Sequence, residues 1–175
     1  MKQKIIIAGY GGQGIILAGN LLAYAAMQEK KEVTLFKSYG IEMRGGFANC
    51  SIIISSEEIG SPIISQADIG IFMNDISFKK LESKVKKNGI IILNSSLIKE
   101  ISNEQNFIKI PASDIAEKIG NVKITNMVMI GKYIAITQII SLESCLNSLK
   151  NALSSTKQNL LEINKEALIQ GFKWQ

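Results

Sequence analysis

The hexapeptide Gly9-Tyr10-Gly11-Gly12-Gln13-Gly14 constrains this chain more than any other stretch, because it stands between an apolar run and a helix-forming run. Residues 4–8, KIIIA, read as a buried strand that ends at a tight turn. Ile15 to Gln28 is rich in Leu, Ala and Met at helical spacing and contains no proline and a single glycine, Gly19. A strand, a GxGxxG turn and a helix in that order open a Rossmann-like α/β domain. Gly9 would permit the sharp turn, Gly11 the close approach of a phosphate and Gly14 tight packing of helix on strand, while Gly12 adds backbone freedom. Amides at the helix start, aided by its dipole, would form an anion site for a pyrophosphate-bearing ligand. Gly9, Gly11, Gly12, Gln13 and Gly14 are therefore candidate cofactor-binding residues, although the same glycines also suit a tight turn that binds nothing.

The remaining chain repeats the alternation. Strands are expected at 33–36 (VTLF), 48–55, 69–73, 90–93 (IIIL) and 107–110, with a lysine-rich helix over 77–87 stopped by Asn88 and Gly89. Helices are expected around 113–119, 125–140, 142–153 and 158–171. The pattern predicts one domain over residues 1–175, an α/β, Rossmann-like, doubly wound and mainly parallel sheet with a helical C-terminal end.

Several polar residues fall where strands should end. Lys37 through Gly46 reads as a polar, glycine-containing loop, placing Ser38 and Arg44 beside the crevice. The second strand ends in Phe36-Lys37-Ser38, without the acidic residue an NAD ribose requires, and Glu32 lies at its wrong end, so NAD is disfavoured. Lys37 and Arg44 suit an extra phosphate, as in NADP or coenzyme A, or simply solvation, and Glu42 near Arg44 suits an ion pair that stiffens the loop. Asn74-Asp75 and Asn94-Ser95-Ser96 point to the same crevice, with helix capping as their plainer role; Asn74 is kept as a candidate ligand contact. Thr125 and Asn126 suit a helix cap, and Met127, Met129 and Ile130 suit core.

Composition narrows the chemistry. There is no histidine, which removes the commonest general base and metal ligand, and no catalytic residue or metal site is assigned. Cys50 and Cys145 are the only cysteines and lie too far apart for a CxxC or cluster motif, so buried free thiols are expected. The net charge of +5 comes from lysines spread along the chain, with one arginine and no interleaved aromatic residues, and nucleic-acid binding is not expected. No segment approaches the roughly eighteen apolar residues of a membrane span, and the opening runs straight into the glycine turn, so a cytoplasmic protein is expected.

The motifs GYGGQG, SYGIEMRGGFANC and ADIGIFMN, with the closing NKEALIQGF, resemble the gamma subunit of 2-oxoacid:ferredoxin oxidoreductases of the 2-oxoglutarate, ketoisovalerate or pyruvate type. The resemblance implies a subunit of an enzyme that oxidatively decarboxylates a 2-oxoacid to an acyl-CoA, with ferredoxin as electron acceptor. It also implies that thiamine diphosphate and iron–sulfur clusters sit on alpha and beta partners, with delta as a further candidate. This chain would hold no cofactor tightly, would be inactive by itself, and would serve assembly and the access of coenzyme A as substrate. Tyr39, Gly40, Glu42, Gly45 and Gly46 would then shape an interface or an active-site loop.

Two other readings stay open on the residues: a free-standing module binding NADP or another nucleotide, and a purely structural subunit with an empty glycine turn. In isolation the chain is also expected to be able to form a homodimer through apolar surface.

Overall fold

The computed structural model describes residues 1–39, 46–99 and 106–175. Gly40, Glu42, Arg44 and Gly45 lie outside the described residues. Six strands, β1 (Lys2–Tyr10), β2 (Glu32–Tyr39), β3 (Phe47–Ser55), β4 (Ala67–Phe72), β5 (Val85–Asn94) and β6 (Asn106–Ile110), form one sheet in the order β2-β3-β1-β4-β5-β6. β1, β4, β5 and β6 pair in parallel, whereas β3 runs antiparallel to both β1 and β2. Five strands therefore share a direction, and the mainly parallel α/β class holds.

The helices are α1 (Ile15–Gln28), α2 (Asp75–Leu81), α3 (Ala112–Ile119), α4 (Thr125–Thr137), α5 (Leu142–Ala152) and α6 (Leu161–Lys173). Side chains alternate along each strand. Ile5, Ile7, Ile52, Ile54, Ile71 and Ile92 enter a large core with α1, α3, α4, α5 and α6, and Ala8, Phe72, Ile91 and Leu93 enter a smaller one with Phe78 of α2. Helices thus cover both faces, but very unequally. The continuous apolar run of β1 follows from this burial on both sides. Thr125 to Ile134 of α4 is buried except at Lys132 because the helix packs against α6, α3 and the sheet, and Met127, Met129 and Ile130 are core as expected.

Three expectations need correction. The second strand continues through Lys37 and Ser38 to Tyr39, because β3 supplies partners for them at Cys50, Asn49 and Ala48. The lysine-rich helix ends at Leu81, and the chain is already in β5 by Val85, which pairs with Ala67 and packs beneath Phe78. Asn88-Gly89 therefore marks an irregularity inside a strand and not a helix stop: the register shifts between Ala67 and Ile69, and a Cβ on Gly89 would stand 2.8 Å from the Asp68 carbonyl. Finally, β3 stands between β2 and β1 and runs antiparallel to both, so one strand of the expected parallel alternation is reversed.

Candidate functional site

β1 and β4 are parallel neighbours, yet the chain leaves β1 for α1 on one face and β4 for α2 on the other. Their carboxyl ends form the topological switch point, where an open α/β sheet offers a crevice. The glycine turn and Met73-Asn74 meet there.

Gln13 folds back into the turn. Its Oε1 accepts from the Tyr10 amide at 2.7 Å and from Asn74 Nδ2 at 2.8 Å, and the Gln13 amide donates to the Tyr10 carbonyl at 3.1 Å. Asn74 in turn caps α2 by accepting from the Ser77 amide at 2.9 Å, and Ser77 Oγ donates to the Ala8 carbonyl at 3.2 Å. The plainer role foreseen for Asn74 is the one its side chain performs.

Each glycine of the turn also has a use within the chain itself. A Cβ on Gly9 would stand 2.6 Å from Gln13 Oε1, so Gly9 makes room for the folded glutamine. The Gly11 amide is taken by the Gly46 carbonyl at 2.8 Å, which ties the turn to the start of β3. Gly12 and Gly14 have φ of +98° and +71°, and Gly14 caps α1 in the left-handed conformation that only glycine adopts cheaply. Gly14 packs not on a strand but on Asn126, whose Nδ2 would lie 2.5 Å from an added Cβ and donates to the Gly14 carbonyl at 3.0 Å. Asn126 Oδ1 is the one buried side-chain polar atom without a hydrogen-bond partner among the described residues.

Two cavities flank the turn. The first, about 350 Å³, is lined by Gly11, Gly12, Gly14, the first residues of α1 and Lys157. Among the described residues no side chain caps the start of α1, and Ile15, Ile16 and Leu17 line this space together with Lys157, so the positive end of the helix borders it. Lys157 lies far along the chain in a short helical turn, Ser155–Leu160, and nothing in its local sequence marks it. The second cavity, about 260 Å³, lies toward α3 and α4 and is lined by Gln13, Met73, Leu97, Ser113 and Lys123 among others. Asn94 supports its wall, donating to the Met73 carbonyl at 3.1 Å and to Ser113 Oγ at 2.8 Å, while Ser96 Oγ accepts from the Asp114 amide.

Ser38 is not brought to either cavity. Ser38 pairs with Asn49 and Asn49 with Ala8, so β3 separates it from β1 by two strand spacings, roughly 10 Å. Lys37 is displaced in the same way. Cys50 and Cys145 are buried free thiols. Burial pushes Cys50 up to about 12 despite the opposing charge of Lys37, and burial with the nearby Glu29 charge does the same to Cys145. Neither is a thiolate nucleophile near neutral pH.

The fold is thus that of a mixed α/β domain with a self-bonded glycine turn at its switch point. Residues 4–174 match the family described as pyruvate ferredoxin/flavodoxin oxidoreductase, and the chain belongs to that family. Among its relatives, the 2-oxoglutarate synthase subunit KorC of Methanocaldococcus jannaschii is 33% identical over 94% of this chain and 92% of its own length. The ketoisovalerate oxidoreductase subunit VorA of Methanothermobacter thermautotrophicus is 31% identical over 99% of this chain but only 36% of its own length. The chain thus spans about a third of that relative and nearly all of the former. The gamma subunit of a keto/oxoacid ferredoxin oxidoreductase from Geobacter sulfurreducens superposes with a TM-score of 0.84 at 26% identity, covering 98% of this chain and 96% of that one. The 2-oxoglutarate:ferredoxin oxidoreductase from Magnetococcus marinus superposes with a TM-score of 0.86 at 25% identity, over 98% of this chain and 30% of that one.

Proposed function

We propose that this chain is the gamma-type subunit of a 2-oxoacid:ferredoxin oxidoreductase, contributing to assembly and to the access of coenzyme A. The observation that carries the reading is the family match over residues 4–174 together with near full-length likeness to a KorC subunit. The complex would oxidise a 2-oxoacid to carbon dioxide and an acyl-CoA, passing two electrons to ferredoxin. Its thiamine diphosphate and iron–sulfur clusters belong on alpha and beta partners, with delta as a further candidate. This chain's own residues do not fit a cluster: both cysteines are buried, and no group of three or more His, Cys, Asp or Glu suited to a metal occurs among the described residues. We place the complex in the cytoplasm; none of the described helices is long and apolar enough to cross a membrane.

Within it, the cavity bearing Lys157 would hold a phosphate-bearing part of coenzyme A. The Gly12 and Gly14 backbone and the first-turn amides of α1 face that space, and Lys157 adds a point charge. The segment from Ser38 to Gly46, with Tyr39, Gly40, Glu42, Arg44 and Gly45, would form an interface or border the active site. The free-standing NADP module loses support because β3 removes Lys37 from the neighbourhood of the turn.

The test is anaerobic recovery of the tagged chain from its native cell, with identification of co-purifying subunits and an assay of coenzyme A-dependent, 2-oxoacid-dependent electron transfer. Recovery of thiamine- and cluster-binding subunits with activity is expected; an unaccompanied chain would overturn the assignment. In the active complex, Lys157→Glu should raise the KM for coenzyme A with assembly intact. An unchanged KM would assign the turn a structural role only.

A further inference from the structure

We propose that the cavity between the glycine turn and the amino ends of α3 and α4 binds a small aliphatic carboxylate. The site lies on the opposite side of the turn from the phosphate role proposed above and does not depend on it.

The argument begins with which way one amide faces. The Ser77 amide is a donor, so Asn74 must present Oδ1 to it and Nδ2 to Gln13, and Gln13 must answer with Oε1. The Tyr10 amide at the same oxygen enforces the same choice. Gln13 Nε2 is therefore left without a partner among the described residues. It is not a buried orphan, since Asn126 Oδ1 is the only such atom among the described residues, so it reaches solvent where Gln13 lines the second cavity.

Two more donors line the same space. Ser113 Oγ accepts from Asn94 Nδ2, and its own hydrogen has no acceptor among the described residues. Lys123 lines the cavity and its ammonium has no partner among the described residues. Among the described residues no Asp or Glu lines the cavity to compete with an incoming anion. An amide, a hydroxyl and an ammonium, all donating, select an acceptor-only anionic group.

The rest of the wall decides what carries that group. Met73 forms the floor at 1% exposure, while Leu97 and Val122 are 48% and 56% exposed at the rim. Inorganic phosphate would leave this apolar surface wet, whereas a short branched hydrocarbon would cover it. The volume, about 260 Å³, lies below the ~300–1,000 Å³ of sites for larger ligands, which favours a small acid.

The experiment is a titration of the full-length, isotope-labelled chain with isovalerate, followed by backbone amide shifts, with 3-methylbutanamide and inorganic phosphate as comparison probes. Saturable shifts are expected at Gly12, Ser113 and Lys123, with both comparison probes weaker by at least about fivefold. Lys123→Gln, a surface change, and Ser113→Ala should each weaken isovalerate by at least about threefold. The proposal is overturned by the absence of saturable shifts in the millimolar range. Equal affinity for the neutral amide, shifts confined to Ile16, Leu17 and Lys157, or unchanged affinity in Lys123→Gln overturn it equally.

Discussion

Asn74 Nδ2 lies 2.8 Å from Gln13 Oε1, a single hydrogen bond that closes the crevice between β1 and β4 from one chain crossing to the other. The two residues are 61 positions apart, and each also satisfies a backbone amide, Tyr10 for Gln13 and Ser77 for Asn74. The bond makes the turn and the start of α2 one unit. Its polarity predicts an asymmetry. Gln13→Glu keeps an acceptor for both donors and should cost less than about 1 kcal/mol, whereas Asn74→Asp turns an oxygen toward Gln13 Oε1 at a site only 4% exposed. The latter should cost ~1–3 kcal/mol by denaturant unfolding at pH 7. Equal losses would show that the bond direction is of no consequence.

α4 and α6 cross where each has a glycine. A Cβ on Gly171 would stand 2.0 Å from the Val128 carbonyl, and one on Gly131 would stand 2.2 Å from the Leu168 carbonyl. Backbone cannot yield as a side chain does, so Gly171→Ala should reach or exceed the upper end of the ~1–3 kcal/mol of overpacking. Gly120→Ala is the comparison: it has φ +108° but open space, and should cost only about 1–2 kcal/mol through backbone strain. Thermal or denaturant unfolding of the two variants orders them.

The elements were largely legible because their periods were clear, from the apolar run of β1 to the final helix. β3 reversed direction without any local mark of it: an isoleucine run buried on both faces reads the same parallel or antiparallel. Its intrusion beside β1 is what separates Ser38 and Lys37 from the turn. The glycines were found as a motif, but their uses were not, since Gly14 answers to Asn126, which lies 112 residues away, and Gly11 to Gly46. Lys157, Ser113 and Lys123 carried no signal because only tertiary packing brings them to the cavities.

Glu29 ties the end of α1 to the start of α5. Its carboxylate accepts from Lys31 Nζ at 2.6 Å and from the Ser141 amide at 2.7 Å. Desolvation would raise its pKa, but these bonds with those of Ser141 and Ser144 outweigh it and hold the group at about 2, below its ordinary 4.5. A depressed folded-state pKa stabilises above the unfolded value and ceases to do so as pH falls from about 4.5 to about 2. The contribution is on the order of 1 kcal/mol after solvent screening at a side chain 22% exposed. Glu29→Gln should therefore be less stable than the parent at pH 7, with the difference shrinking through that acid window. A pH-independent difference would assign the effect to packing.

Both thiols should resist modification until the chain unfolds. Cys50 is fully buried on β3 against α1, with Gly19 of that helix so close that an added Cβ would stand 2.8 Å from the sulfur. Cys145 is fully buried in the same large core. With pKa values pushed up to about 12, each is almost entirely protonated at pH 8, and each is fully buried beneath the helix layer. Thiol titration at pH 8 should find neither cysteine reacting promptly in native protein and two reacting in denaturant. Gly19→Ala should raise the native reaction rate at Cys50 by loosening α1 from β3, and a rate unchanged from the parent would mean the helix accommodates the methyl without opening.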